Sequence, residues 1–205
     1  MENLLKPFDD PQVAAVCARK IAYPQAKEAE KAIRAFRYSD ESDVWDQGDM
    51  GRRGIKAYLL SNVCTAYRVS AYKAVGGFES PIIMDEDMLI AADFLRMGYK
   101  LAYQAEARVW HSHDYSLRQE YERYKKIGMF LGRYGNRFDE SGETSEGLAM
   151  ARYVTARLLK KCVFGELLPF WCGCAAKLFA IGRGKKRRTE RTNDASIFET
   201  ANHDP

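Results

Sequence analysis

The sequence predicts an α/β fold, because short apolar runs typical of buried strands alternate with segments of helical periodicity. The first run, Val13 to Cys17, lies between prolines and has the length of one buried strand. Apolar residues recur at helical spacing from Met88 to Leu95, and Gly98 is placed to end that helix. Residues 100–103 and 107–110 then read as short extended pieces. This alternation is typical of a sheet covered by helices.

The elements between the first strand and this helix are predicted from composition and turn residues. Residues 25–38 contain strong helix formers with acids ahead of bases, so we predict a surface helix there. Residues 39–54 are polar, acidic and glycine-containing, which is typical of a solvated loop. Residues 55–67 predict a strand, a turn and a second strand, and a short helix follows over residues 70–75.

Beyond residue 116 the pattern becomes helical. We predict helices over residues 117–134 and 148–163, joined by an acidic linker. The most apolar stretch, residues 163–181, is interrupted by polar residues, proline and glycine, which predicts runs too short for a membrane span. An apolar helix followed by a basic cluster can instead lie on an anionic membrane, and packing into the core is the alternative.

Charge and cysteine content limit the functional classes. Residues 183–191 contain six basic and one acidic residue in a chain of net charge +4, so the rest is nearly neutral. One basic cluster without interleaved aromatics is a thin footprint for nucleic acid, and we predict no nucleic-acid partner. Five scattered cysteines favour a reducing compartment. No basic segment followed by an apolar one opens the chain, so we expect no signal peptide and a cytoplasmic location.

Two groups of polar residues flank the helix that starts near residue 86. Asp85, Glu86 and Asp87 lie at its predicted N-terminus, where acids commonly cap free N–H groups, although three in succession exceed what capping needs. His111 and His113 follow the strand that comes next, and a histidine there is often only structural. In an open α/β sheet, ligands bind at the edge where strands end, so these groups can converge. Carboxylates and imidazoles together suit metal-assisted transfer of a group to a hydroxyl.

In combination these segments resemble a known family. Residues 62–78 (NVCTAYRVSAYKAVGGF), the acids at 85–87 and residues 98–116 (GYKLAYQAEARVWHSHDYS) are similar to the second half of family 2 glycosyltransferases of the GT-A fold. The bacterial rhamnosyltransferase-like members are the most similar. The resemblance covers about residues 5–135, and the pattern is specific only as a combination in this order.

The resemblance implies roles for several of these residues. The acidic pair after the glycine turn includes the catalytic base, which here is Asp87 or Glu86, and the sequence alone does not rank them. The histidine that closes the strand, His111, would lie beside the diphosphate and a divalent ion, Mg²⁺ or Mn²⁺. A nitrogen ligand slightly favours Mn²⁺. His113 would not contact the reacting groups directly.

Three further residues are candidates for substrate binding. Asn62 lies in the segment that lines the site of the resembled family, where it can meet a sugar hydroxyl, although it can equally form a turn. Arg68 can pair with a phosphate through its planar guanidinium, although an arginine at the start of a helix is commonly just exposed. Asp85, at the predicted start of the helix, is the third candidate for substrate binding.

The implied activity is inverting transfer of a sugar from a nucleotide-diphosphate sugar to a hydroxyl of a glycan or lipid-linked acceptor, in the assembly of cell-surface polysaccharide or glycolipid. The family's nucleotide-binding first half, which ends in a D-x-D motif, is not recognisable here, and the Asp9-Asp10-Pro11 sequence predicts a turn. The alternative function is a non-catalytic half that docks a partner or a membrane.

The predicted organisation follows from this resemblance. Residues 1–116 form the acceptor-side half of a GT-A domain, a partial Rossmann-like sheet that lacks its N-terminal nucleotide-binding half. Residues 117–182 form a helical C-terminal extension, and residues 183–205 form a basic disordered tail. The predicted location is the cytoplasm, at the inner face of the membrane.

Overall fold

A four-stranded mixed sheet lies at the centre of the protein. The computed structural model describes residues 2–82, 84–113, 115–138 and 143–192. The strands are ordered β2-β4-β1-β3 across the sheet. They are β1 (Val13–Ile21), β2 (Asp43–Trp45), β3 (Thr65–Tyr67) and β4 (Lys100–Trp110).

Eight α-helices accompany the sheet in the described part of the chain, which confirms the predicted α/β class. Several short 3₁₀ turns connect these elements. The helices are α1 (Glu2–Leu5), α2 (Glu28–Arg37), α3 (Met50–Arg53), α4 (Val69–Ala74), α5 (Glu86–Arg96), α6 (Leu117–Tyr134), α7 (Glu143–Lys160) and α8 (Leu167–Thr192).

The central pair β1 and β4 is parallel, and both edge strands are antiparallel to their neighbours. Parallel pairing brings the C-terminal ends of β1 and β4 to one edge, where Ile21 faces Trp110. The two extended pieces predicted after Gly98 are one strand in the structure. The pairing register shifts where Ala18 is followed by Arg19, so an irregularity in β4 separates the two predicted pieces.

The loop predicted over residues 39–54 contains the edge strand β2 and the short helix α3. Trp45 explains the difference, because its side chain is buried and its Nε1 donates a hydrogen bond to the carbonyl oxygen of Ala57 at 2.9 Å. A single buried indole anchors an otherwise polar segment to the sheet. The first strand predicted within residues 55–67 is a 3₁₀ turn, Gly54–Tyr58, and only the second is a strand.

The main core lies between the sheet and α5. Leu89, Ile90 and Phe94 of α5 are fully buried and belong to the same cluster as Leu101 of β4. Phe130 of α6 joins this cluster, so the first helix after residue 116 contributes to the core of the sheet region.

A second contact holds α2 between the sheet and the C-terminal helices. Ala32 of α2 packs against Val154 and Leu158 of α7. The Glu166 carboxylate accepts hydrogen bonds from the first backbone N–H groups of α2, those of Glu28 at 3.2 Å and Ala29 at 2.8 Å. A residue more than a hundred positions away therefore caps this helix.

The helices α6 and α8 run parallel in close contact. Glu120 pairs with Lys177 at 2.9 Å, and further along both helices Gly128 lies against Ile181. A Cβ atom added at Gly184 would lie 2.3 Å from the carbonyl oxygen of Lys125. The backbones meet so closely that only glycine fits at these positions.

The helix α8 is continuous through the polar, proline and glycine residues that were expected to interrupt it. Pro169 stands in the first turn, where a missing N–H is tolerated. By length and composition alone, Phe164–Lys186 is sufficient to cross a membrane, which corrects the prediction of runs too short for a span. The helix continues to Thr192 through the first part of the predicted tail, and the predicted tail beyond residue 192 lies outside the described residues.

Candidate functional site

The acidic start of α5 forms one side of the candidate site. Asp85 precedes the helix in a left-handed backbone conformation, with φ of 61°, and its side chain makes no capping hydrogen bond. Aspartate tolerates this conformation better than most residues, although a small backbone cost remains. Glu86 and Asp87 follow in the first turn. The capping role that is common for such acids therefore does not explain Asp85.

Asn62 holds the two acids of the first turn. Its backbone N–H donates to Oδ2 of Asp87 at 3.0 Å, and its side-chain Nδ2 donates to Oε1 of Glu86 at 2.7 Å. The hydroxyl of Tyr67 donates in turn to Oδ1 of Asn62 at 2.6 Å. The structure thus gives Asn62 an orienting role toward both carboxylates, whereas its contact with a sugar stays a prediction.

Burial and repulsion from neighbouring carboxylates favour the protonated forms of Asp85 and Asp87. Burial raises the pKa of Asp87, and the hydrogen bond from the Asn62 backbone opposes that rise. Burial, with the charge of Asp87, raises the pKa of Asp85 to about 6. A carboxylate whose pKa is raised toward neutrality is a better proton acceptor for a hydroxyl than a fully solvated one.

We expect Asp85→Asn to stabilise the protein at pH 7.5 and to have almost no effect at pH 3. The pKa of Asp85 is about 6 in the folded state against an ordinary 3.8, so the cost of ionising this side chain in the fold grows from about pH 4 and is complete above pH 6. That cost disappears as both states become protonated. Asparagine also tolerates the left-handed backbone. Melting temperatures at the two pH values test this, with Asp40→Asn on an exposed bend as the control. An equal shift at both pH values would contradict it.

A buried lysine lies at the C-terminal end of the central strand. Lys20 is only 7% exposed, its Nζ donates a hydrogen bond to Oγ of Ser61, and it lies 5.3 Å from the centre of the Tyr38 ring. Burial lowers the pKa of Lys20 to about 8, the charge of Arg34 adds to this effect, and the charge of Asp87 opposes it. The predicted strand ended at Cys17, whereas β1 continues to Ile21 and includes Lys20.

The histidines stand at the same sheet edge. The backbone N–H of His111 donates to the carbonyl oxygen of Ile21 at 2.8 Å, which fixes His111 at the end of the parallel pair. Its ring centre lies 4.4 Å from that of His113, which stacks on Tyr115 at 4.5 Å. Burial, with repulsion from His113, lowers the pKa of His111 to about 4, so its imidazole is neutral at pH 7.

Lys20 connects the two halves of the site electrostatically. Its charge contributes to lowering the pKa of His111, and the charge of Asp87 raises the pKa of Lys20. Asp87 and His111 thus each lie within electrostatic range of Lys20. The convergence of the acids and the histidines on one site stays a prediction.

An open pocket adjoins these groups. It has a volume of about 380 Å³ and lies between the residue preceding the acids and the first turns of α6. The charge of Arg123, on its wall, acts on the pKa values of both Asp85 and His111. The pocket offers an aromatic ring, an amide and charges of both signs, which suit a polar ligand with hydroxyl groups. Its lining residues are Met84, Tyr115, Gln119, Glu122, Arg123 and Lys126.

Arg68 is not brought to this site. Its Nε donates to the carbonyl oxygen of Val13 at 2.8 Å, and its Nη2 donates to those of Phe8 at 2.8 Å and Asp10 at 3.0 Å. Val13 and Lys20 lie toward opposite ends of β1, roughly 20 Å apart at the rise of a strand. The guanidinium is occupied by backbone carbonyls, so the geometry does not support the predicted phosphate contact.

The donor set for a metal ion is incomplete in the described part of the chain. His111 and His113 could each offer a ring nitrogen, but the described residues contain no group of three or more His, Cys, Asp or Glu side chains placed to hold an ion. These residues alone do not fit the divalent ion that the family resemblance implies.

Together, these features define a mixed α/β domain with a half-buried acidic site and a neutral histidine at the edge of its sheet. The chain is similar to the O-antigen chain rhamnosyltransferases WbaN of Salmonella anatum and RfbN of Salmonella typhimurium, each 38% identical over 173 residues. The match covers 83% of this chain and 53% of each relative, so the chain spans about half the length of these curated relatives. No protein-family model matches the chain.

Proposed function

We propose that the chain forms the acceptor-side half of an inverting glycosyltransferase of family 2 and the GT-A fold. The enzyme moves a sugar, rhamnose by analogy with the relatives' names, from a nucleotide-diphosphate donor to a hydroxyl of a growing O-antigen-type glycan. The observation that carries the proposal is the pair of carboxylates held by Asn62 at the ligand-binding edge of the sheet. The nucleotide-binding half is contributed from outside these 205 residues.

In this mechanism an acceptor hydroxyl attacks the anomeric carbon of the donor sugar. The new C–O bond forms as the bond to the diphosphate breaks, so the configuration inverts, and Asp87 takes the hydroxyl proton. A positioned base typically contributes about 10²- to 10⁴-fold to the rate. The hydrogen bond from Asn62 fixes the Asp87 carboxylate, and the neighbouring pocket holds the acceptor sugar.

Glu86 is the alternative base. Its Oε1 is held by the Asn62 side chain as firmly as Asp87 is held by the backbone, so contact geometry alone favours neither. Burial raises the pKa of Asp87 and thereby its basicity, and for that reason we assign the role to Asp87.

We propose a divalent ion, Mg²⁺ or Mn²⁺, as an additional requirement of the complete enzyme. His111 is neutral at pH 7 and can offer a nitrogen ligand, while the remaining ligands would come from outside the described residues. When bound, such an ion offsets charge that builds up on a departing diphosphate. Restoration of activity by Mn²⁺ after treatment with a chelator tests this requirement.

A transfer assay tests the function. The full-length enzyme that contains this chain is incubated with radiolabelled nucleotide-diphosphate rhamnose and membranes bearing lipid-linked acceptor, and label in the lipid extract is measured. We expect transfer that depends on the enzyme, with the product linkage inverted relative to the donor. Retained configuration would overturn the inverting mechanism. No label transfer with any of several nucleotide-sugars would favour the non-catalytic docking alternative.

We further propose that the protein acts in the cytoplasm at the inner membrane face, with α8 lying on the lipid surface. Leu168, Leu178 and Phe179 on this helix are 74%, 71% and 61% exposed. The basic residues at 183–191 follow directly, and each can add on the order of 1 kcal/mol of attraction near an anionic membrane. An exposed apolar face beside a basic cluster is the pattern of an interfacial helix.

We expect the protein to sediment with vesicles containing one third phosphatidylglycerol and to bind pure phosphatidylcholine vesicles at least tenfold more weakly. The double substitution Leu178→Ser and Phe179→Ser should remove most of this binding, because it takes two large apolar side chains from the lipid-facing side. Leu159→Ser on α7, also exposed, is the matched control. Equal loss in the control, or resistance of the bound protein to alkaline carbonate as for a spanning helix, would contradict surface binding.

A further inference from the structure

Lys20 occupies an unfavourable position for a charged side chain. It is almost fully buried, and its described contacts are a neutral hydroxyl, that of Ser61, and the face of the Tyr38 ring. Burial of a charge costs several kcal/mol unless other interactions offset it. The positive charges of nearby Arg34 and Arg37 add to the cost, whereas the negative charge of Asp87 stabilises the charged lysine. A buried lysine in such a place suggests a role other than stability.

The partner of Lys20 is the turn that holds the acids. Ser61 precedes Asn62, and the turn is fixed from its other side by Thr65, whose hydroxyl donates to the Ser61 carbonyl oxygen at 2.6 Å. The Ser61 N–H donates back to Oγ1 of Thr65 at 3.3 Å. A continuous path therefore runs from the end of the central strand through the turn to the carboxylate of Asp87.

We propose that Lys20 is a positioning residue for the acidic site: it anchors the Ser61–Asn62 turn to the central strand, and this turn holds the carboxylate of Asp87. The electrostatic part of the role is that the positive charge placed there stabilises the negative charge of Asp87. The importance of this role for catalysis rests on the proposed function. The structural coupling between Lys20 and Asp87 does not, and it can be measured in this chain without any substrate.

The charges around Asp87 determine in which direction its pKa should change when the charge of Lys20 is removed. Burial, together with the charge of Glu86, raises the pKa of Asp87, whereas Lys20 and the Asn62 N–H lower it. Removal of the lysine charge removes one of the opposing effects, so the pKa of Asp87 should rise further. The charge of Asp87 in turn helps to raise the pKa of Asp85.

Carbon-13 NMR titration of the Asp87 carboxyl carbon tests the proposal in Lys20→Met, whose side chain is apolar and of similar length. We expect the Asp87 titration midpoint to rise by about one pH unit. Lys31→Met on α2, whose lysine pairs with Glu28, is the control and should leave the midpoint unchanged. Equal midpoints in wild type and Lys20→Met would overturn the electrostatic part of the proposal.

Ser61→Ala separates the anchoring role from the charge, since it keeps the lysine and removes the hydroxyl that Lys20 contacts. We expect faster amide hydrogen exchange at Asn62 in this variant, and unchanged exchange there would overturn the anchoring role. Lys20→Arg keeps the charge and supplies a folded comparison if Lys20→Met does not fold.

In the full-length enzyme, Lys20→Met should lower kcat more at pH 6 than at pH 8 with little change in KM, whereas a purely structural lysine would not shift this pH profile.

Discussion

Replacement of Asp87 by asparagine should lower sugar transfer by the full-length enzyme by about 10²- to 10⁴-fold without lowering the melting temperature. Asparagine retains a side-chain oxygen that can accept the hydrogen bond from the Asn62 backbone N–H, so the start of α5 should keep its local structure. The amide cannot accept the proton of an acceptor hydroxyl. Because burial raises the pKa of the Asp87 carboxyl, its replacement by a neutral group also removes a desolvation cost.

The measurement is initial rate and melting temperature for wild type, Asp87→Asn and Glu86→Gln side by side. Asp93→Asn, farther along α5, provides a control for loss of a carboxylate that pairs with Arg137 rather than facing the site. Activity of Asp87→Asn within a few-fold of wild type would show that Asp87 is structural. If Glu86→Gln alone loses activity, the base is Glu86 and the roles of the neighbouring acids are exchanged.

The sequence was informative wherever the signal is local. The periodicity of α5 and its acidic start predicted the helix and the position of the acids, because a helix of eleven residues contains its own pattern. The H-x-H segment after a strand was also predicted at the correct edge. In both cases neighbours along the chain determine the structure.

Long-range contacts account for what the sequence did not predict. Trp45 in a polar segment gains its role from Ala57 and the sheet, and Lys20 gains its role from Ser61, forty-one positions away. Arg68 was predicted to contact a phosphate, but its guanidinium binds backbone carbonyls of a turn near the N-terminus. A charged pair of residues that ends an apolar run, Arg19-Lys20, was the one signal that could have identified the buried lysine.

A long-range contact also explains why the continuity of α8 was not predicted. Pro169 and Gly173 were expected to interrupt this helix, but it runs through both, and Gly184, farther along, permits a backbone contact with α6 that no local pattern shows. Glycine was therefore a packing residue here and not a helix terminator. A direct comparison of two glycines on this helix tests that conclusion.

Gly184→Ala and Gly182→Ala should change stability in opposite directions. Both replace glycine in a helix, which alone stabilises by up to about 1 kcal/mol. A Cβ at Gly182 meets no atom within 4 Å, whereas a Cβ at Gly184 would lie 2.3 Å from a backbone oxygen of α6 that cannot rotate away. Overpacking of this kind costs typically 1–3 kcal/mol, so α6 and α8 must separate in Gly184→Ala. Thermal unfolding should show a higher melting temperature for Gly182→Ala and a lower one for Gly184→Ala.

The two glycine variants also test whether α8 stays packed on α6 or leaves it when the protein binds a membrane. If lipid and α6 compete for this helix, the weaker packing in Gly184→Ala should increase binding to anionic vesicles, while Gly182→Ala leaves it unchanged. If α8 contacts lipid through its exposed face while α6 stays bound, neither substitution should alter vesicle binding, because Leu178 and Phe179 are already exposed beside the α6 contact. The second outcome agrees with a helix that lies on the membrane surface, and the first indicates a helix that leaves the fold to enter it. Equal melting temperatures in the two variants would contradict the close helix contact itself.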